Sequence, residues 1–366
     1  MNAEKTPTTL LLERLPYVTS KEVKISGKIR LAYDDFQVEE IESYAPAGRG
    51  EHLFVRFRKT GLTTPEAIKR IALALCINPE QASWAGLKDR DAVTEQWASF
   101  QGADPAKALD LKIDRISILK AVLHPHKLRT GHLRGNKFRI YLRETSKDSY
   151  EISRSILARL DQVGLANYYG EQRFGFQGNN LERAKRWVND GASLPRGRFA
   201  RKFYFSVIQS ALFNHWLAHR LQIAPIDCPI EGDLLRKEDT GGMFTTDDME
   251  SARLRVQNWE VSPTGPIFGE KMRWPKGRAR ELEQATLNAL GLSFDTLVRF
   301  KRYGAGSRRP ARVRLREWNV SEEKDGLLLS FQLPKGAYAT AVLRELLKSS
   351  QGVGNSSSAD GDDSSF

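Results

Sequence analysis

Strand-type alternation stands at both ends of this chain, and helical periodicity fills its middle. Asp35-Phe36-Gln37-Val38-Glu39-Glu40-Ile41-Glu42 alternates apolar with polar residues, and His52 to Lys59 forms a second such run. Phe138, Ile140 and Leu142 alternate with Arg139, Tyr141 and Arg143. A period of two sends successive side chains to opposite faces of a sheet, so these runs predict half-buried strands. Gln96 to Phe100 and the surroundings of Ile116 and Ile118 predict two more. Thr63, Thr64 and Pro65 predict a helix start, with Glu66 placed for a capping box and Ile68, Ile71, Ala72 and Leu75 on one face. Ile152, Ile156, Leu160 and Val163 mark an amphipathic helix. Beyond about 165, helical patterns take over at 181–190, 205–221 and 279–290. Strand signals return near Val313 to Arg316 and at Leu327 to Phe331, and Ala339 to Lys348 predicts a closing helix. Sheet, helix-rich block and sheet again predict an α+β chain. In it, 1–164 and 310–348 form one domain and 165–309 is inserted. Residues 349–366 are Ser, Gly, Asn and Asp with few large apolar groups, which predicts a disordered acidic tail.

The formal net charge of +12 suits a polyanionic partner, nucleic acid or an anionic membrane surface. Its placement favours RNA. Arg196, Arg198, Arg201 and Lys202 flank Phe199 and Phe203. Lys271, Arg273, Lys276, Arg278 and Arg280 surround Trp274, and Arg308, Arg309, Arg312, Arg314 and Arg316 follow. Cations interleaved with aromatic rings suit phosphate neutralisation together with base stacking. No apolar run is long enough to span a bilayer, and the N-terminus lacks the apolar stretch of a signal peptide. Cys76 and Cys228 are the only cysteines and show no paired spacing, so a reducing, cytoplasmic setting is expected. His215 and His219 have the spacing of two metal ligands on a helix, but no third ligand accompanies them, and no metal is expected.

The stretch most suggestive of chemistry is Trp84-Ala85-Gly86-Leu87-Lys88-Asp89-Arg90-Asp91-Ala92-Val93-Thr94-Glu95-Gln96. Gly86 predicts a tight turn, and Asp89 stands between Lys88 and Arg90. A carboxylate beside cations can serve as a nucleophile, and it can equally be part of a solvated charged turn. Gly-Leu-Lys-Asp-Arg-x-Ala-x-Thr-x-Gln resembles the catalytic segment of the TruD family of tRNA pseudouridine synthases. Further segments carry the same resemblance in order: Asp35-Phe36-Gln37-Val38-Glu39-Glu40, Gly50-Glu51-His52-Leu53, Lys59-Thr60-Gly61-Leu62-Thr63-Thr64 and Leu133-Arg134-Gly135-Asn136-Lys137-Phe138. Asn167 to Gly175, Ser206 to Asn214, Leu333 to Thr340 and Arg344-Glu345-Leu346 complete it.

The resemblance implies isomerisation of a uridine within tRNA, position 13 in the D arm, to pseudouridine. It implies a pseudouridine-synthase-like catalytic domain with a mixed or antiparallel sheet, interrupted by a mainly helical insertion domain, and no cofactor. It implies that Asp89 is the catalytic aspartate. Asn136 is then a hydrogen-bond partner, Phe138 a packing wall, and Phe36, Phe331 or Tyr338 a surface for the extruded base. Lys88 and Arg30 are further substrate-side candidates, Arg30 standing where the family often carries lysine. Arg273, Lys276, Arg278, Arg308 and Arg309 are the expected RNA contacts, and a monomer is expected. The rival reading is a non-catalytic RNA-binding protein or RNA chaperone.

Overall fold

The computed structural model describes residues 15–175, 178–193 and 197–348. The expected tail at 349–366 and Arg196 lie outside the described residues. The first strands are β1 (Phe36–Glu42), β2 (His52–Thr60), β3 (Ser83–Trp84), β4 (Val93–Gln101), β5 (Ile116–His124) and β6 (Leu133–Arg143). Next come β7 (Leu165–Ala166), β8 (Leu235–Lys237), β9 (Met243–Phe244), β10 (Val261–Ile267), β11 (Ser307–Pro310) and β12 (Arg312–Val313). The last are β13 (Arg316–Glu323) and β14 (Gly326–Pro334). Two compact units share these elements. One comprises Ile25–Arg154 and Leu315–Gly336, and the other comprises Ser155–Arg314 with the described parts of Met1–Lys24 and Ala337–Gly354. The helix-rich unit thus takes in 155–164 and 337–348 beside the block at 165–309.

The first unit is built on one sheet of order β13-β14-β6-β1-β4-β2-β5, with β3 also paired to β4. Every pair is antiparallel except β1 with β4, so the sheet is mixed. Alternation fixes its register. Val38 faces Phe138, which faces Phe331, while Phe36 lies opposite Ile140. All five rings and aliphatic chains are buried. The helix Thr64–Ala74 lays Ala67, Ile68, Ile71 and Ala72 against Leu53, Val55, Phe57, Ala98 and Phe100. Burial of each isoleucine contributes about 2–3 kcal/mol. Thr63 caps the helix by accepting the Glu66 amide at 3.3 Å, while the Glu66 carboxylate pairs with Arg70.

One irregularity sets up the site. The parallel β1–β4 pairing lasts only from Gln37↔Val93 to Glu39↔Glu95. Farther along β4, β3 takes over that edge through Ser83↔Ser99 and Trp84↔Ala98. Residues 85–92, which connect β3 to β4, therefore leave the sheet where β1 and β3 part.

In the second unit the helix Arg198–Ile223 is the core element, with Phe205, Ile208, Leu212, Phe213 and Trp216 buried. The helices Asn179–Asp190 and Gly277–Ala289 contribute Leu181, Val188, Ala279 and Leu282 to the same cluster. The long helix starts several residues before the expected 205, with Arg198, Arg201 and Lys202 in its first turns. A small sheet of order β11-β10-β8-β9 and the β12–β7 pair complete the unit. The lead-in is tied to the helix Ala339–Leu347: Glu345 accepts the Val18 amide at 2.8 Å, and Arg344 donates to the carbonyls of Leu15 and Pro16. Among the described residues, no helix is long and apolar enough to cross a membrane.

Candidate active site

In β1 the inward positions are Phe36, Val38 and Glu40, so a carboxylate occupies the third apolar slot. In β2, Lys59 likewise follows Val55 and Phe57 inward and is fully buried. Neither charge could stay inside without a partner, and each finds one in the segment 85–92. Lys88 Nζ meets Glu40 Oε2 at 2.7 Å, the two side chains being 4% and 2% exposed. Lys59 Nζ donates to the carbonyls of Asp89 and Leu62, each at 2.7 Å. Burial pushes the Lys59 ammonium down to about 8, against the attraction of the Asp89 carboxylate. The Lys88 amide donates to Thr64 Oγ1 at 2.9 Å, and that hydroxyl donates to Gln96 Oε1 at 2.9 Å. The Gly131 amide donates to the Ala85 carbonyl at 2.7 Å. The loop is irregular, yet its backbone is fixed at Ala85, Lys88 and Asp89.

The Asp89 carboxylate projects from this frame, with its side chain 28% exposed, and meets Arg30 Nη2 through Oδ1 at 3.3 Å. Arg30 adopts a left-handed backbone (φ 59°), and its guanidinium lies 4.2 Å from the centroid of the Phe36 ring. Asp35 holds the bend that presents it: Oδ2 accepts the Ala32 amide at 2.9 Å, and Oδ1 accepts from Arg143 Nε and Nη2. These bonds hold the Asp35 carboxyl below the usual carboxylate range even though its burial acts the other way. Gly61, beside the loop, takes a left-handed backbone (φ 64°) that a side chain would strain, and a Cβ there would also press on the Tyr33 ring at 2.8 Å.

Two expectations about the segment need correction. The cations that flank Asp89 in sequence are not the ones shown against its carboxylate. Lys88 turns inward to Glu40, Arg90 is exposed, and Arg30 comes from fifty-nine residues away. Neighbouring residues of an extended loop point in opposite directions, so adjacency in sequence does not place charges together. Gly86 also uses no left-handed backbone, and a Cβ there would meet nothing nearer than Lys88 Nζ at 3.7 Å.

The other candidates fall into two groups. Asn136 lies opposite Glu40 on one side and Leu333 on the other, and its buried Oδ1 has no hydrogen-bond partner. Phe36 packs edge-on to Phe138 at 6.3 Å, and Phe138 lies 5.4 Å from Phe331; all three rings are buried. Asp89, Arg30, Lys88, Asn136 and these rings belong to the sheet unit. Tyr338 belongs to the helix-rich unit, where it lies 6.2 Å from Tyr169, and burial raises its hydroxyl above the usual tyrosine range. A separate cavity of about 450 Å³ in the sheet unit is lined by Gln37, Glu39, Arg58, Glu95, Lys137 and Arg139 and does not include Asp89.

The basic candidates also divide. Arg273, Lys276 and Arg278 are exposed around the start of the helix Gly277–Ala289, with Arg273 Nη1 on the Met243 carbonyl at 2.7 Å. Arg308 is enclosed: its guanidinium meets Glu283 at 2.7 Å and the two side chains are 2% and 1% exposed. Burial pushes Glu283 up to about 7, with Arg308 opposing. Arg309 donates to the carbonyl and Oδ1 of Asn167 and lies 4.1 Å from the Tyr169 ring centroid. Arg308 and Arg309 thus hold the interior of their unit together rather than presenting free charge. The His215 and His219 rings lie 4.9 Å apart with their planes tilted by 44°, and among the described residues no group of three or more His, Cys, Asp or Glu is placed to hold a metal.

Sequence reasoning gave no role to Glu40, Lys59, Thr64 and Gln96, although all four stand in the segments that carry the resemblance. The signal for the first two was present as a charge at an inward position of an alternating strand.

Residues 12–190 and 179–346 match the family model described as tRNA pseudouridine synthase D (TruD). A tRNA pseudouridine synthase D from an Anaeromyxobacter species is 39% identical over 338 residues, covering 91% of this chain and 96% of the relative. A protein of the same name from Thermus thermophilus is 40% identical over 338 residues, covering 92% and 93%. In fold, the chain is similar to a crystal structure from Methanosarcina mazei described as a putative tRNA pseudouridine synthase D. The TM-score is 0.76 at 20% identity, covering 96% of this chain and all of that one.

Proposed function

The chain belongs to the tRNA pseudouridine synthase D family, and from that premise we propose that Asp89 is the nucleophile that isomerises uridine 13 of the tRNA D arm. The reaction breaks the N1–C1′ bond and joins C5 to C1′; the C5 proton leaves and N1 takes one up. Atoms are conserved, so the chemistry calls for no oxidant, reductant or group donor. The observation that carries the assignment is a carboxylate on a fixed backbone, open on one side and oriented by Arg30. Asp89 forms its bond to the ribose or the base, and Arg30 keeps the carboxylate aimed. Lys59 and Lys88 are positioning residues, acting through the Asp89 carbonyl and through Glu40.

The unsatisfied Asn136 Oδ1 is suited to accept an N–H of the base. Phe36, Phe138 and Phe331 form an apolar wall in the same sheet. The sheet domain would carry the chemistry and the insertion at 165–309 would grip the tRNA, with the exposed Arg273, Lys276 and Arg278 on its phosphates. The protein would act as a cytoplasmic monomer.

The experiment is Asp89→Asn, tested by pseudouridine mapping in tRNA and by tRNA affinity. The amide is nearly isosteric but a poor nucleophile, so turnover should vanish while affinity and melting temperature stay near wild type. Turnover by the pure variant would remove Asp89 from the role. Wild-type protein that binds tRNA and forms no pseudouridine would favour the non-catalytic binder.

A further inference from the structure

Leu87 is 70% exposed, although the backbone on both sides of it is fixed. Gly86 and Lys88 are held by Gln96 and Thr64, at 3.4 and 2.9 Å, and Lys59 holds the next carbonyl. A single exposed leucine is ordinary. A leucine held out on an anchored loop, two residues before a nucleophile, is not explained by packing. Leu31, 57% exposed, stands likewise beside Arg30, so each partner of the Arg30–Asp89 pair has an exposed leucine within two residues. Arg90, an exposed cation, follows on the same loop. An apolar projection beside a cation suits a base stack edged by phosphates.

We propose that Leu87 inserts into the tRNA base stack and fills the place left by the extruded uridine. This rests on the tRNA pseudouridine synthase reading above. A uridine within folded tRNA must leave its stack before its glycosidic bond can reach Asp89. An apolar side chain between the bases it leaves keeps water out of the gap and delays its return. Leu87 touches the neighbours of the reacting nucleotide, so it is a positioning residue.

The test uses the full chain and a tRNA transcript with 2-aminopurine next to the target uridine, whose fluorescence rises on unstacking. Wild type should bind with a rise in signal and form pseudouridine. Leu87→Ala should bind within about twofold of wild type, because phosphate contacts dominate affinity, without the rise. Its single-turnover rate at saturating tRNA should fall about tenfold or more, equivalent to about 1.4 kcal/mol of barrier. Leu87→Met, similar in volume and apolar, should restore both signal and rate. Leu73→Ala, which removes a leucine 59% exposed on the helix Thr64–Ala74, should change neither. A wild-type rate and signal for Leu87→Ala would overturn the proposal, as would a loss confined to affinity or a Leu87→Met protein as slow as the alanine variant. Those results leave wild-type turnover standing, whereas a wild type without turnover overturns the functional reading and this inference with it.

Discussion

Glu40 and Lys88 form a pair whose removal can be worked out in advance. The side chains are 2% and 4% exposed and meet at 2.7 Å, so neither charge reaches water if the other is lost. Glu40→Leu strands the ammonium, and Lys88→Met strands the carboxylate. Breaking a buried pair from one side costs about 3–5 kcal/mol. Replacing both partners removes the stranded charge, leaving mainly the lost acceptor for the Trp97 amide, which stands 3.4 Å from Glu40 Oε1. The double variant should therefore lose only about 1–2 kcal/mol. Two singles of about 3 kcal/mol each sum to about 6, so the cycle should show coupling of about 4 kcal/mol. At about 2–4 °C per kcal/mol, each single should melt about 6–12 °C below wild type and the double about 2–8 °C below. Activity should not recover in parallel. The double variant lacks the tie from the segment 85–92 to β1, so its single-turnover rate should remain about tenfold down or more. Chemical denaturation and single-turnover assays on all four proteins check this. Additive losses in the double variant would refute a buried, mutually dependent pair, and a wild-type rate in the double would refute the positioning role.

Between about pH 8 and 10 the unfolded chain keeps the Lys59 proton that the folded chain has lost. The cost of burying the ammonium is therefore full below pH 8 and relieved above it. The stability of wild type relative to Lys59→Met should rise across that window, and a flat difference in denaturation would show that Lys59 titrates normally. Replacing Arg273, Lys276 and Arg278 together should reduce the salt slope of tRNA binding by about two to three units, and an unchanged slope would remove them from the interface. Phe36→Ala should destabilise by about 3–5 kcal/mol, because the ring is 1% exposed between Arg30 and Phe138. A near-neutral melting temperature would mean that the ring is free to receive a base. Arg308→Met should strand Glu283 and destabilise the helix-rich unit without altering the salt slope; a reduced slope would return Arg308 to the RNA surface.

The sequence by itself determined the main strands of the large sheet and the helix-rich middle, and its resemblance to the family singled out Asp89 as the nucleophile candidate. Period-two alternation at Phe36–Glu42, Phe138–Leu142 and Leu327–Phe331 reappears as β1, β6 and β14, because each strand buries one face and that demand is written residue by residue. The Thr63 cap and the apolar faces of the helices were legible for the same local reason. The strands β3 and β7 to β11 and the helix Met249–Gln257 were not, being short or without regular apolar alternation and held by distant partners. Only the tertiary structure decided which charges meet. Arg30 reaches Asp89 across fifty-nine residues, Lys88 turns away to Glu40, and Lys59 grips a backbone carbonyl that leaves no trace in the sequence. Hydrophobic periodicity is a property of neighbours along the chain, whereas an ion pair depends on where two distant strands bring their side chains. That is why the fold class could be read from the sequence and the partners of Asp89 could not.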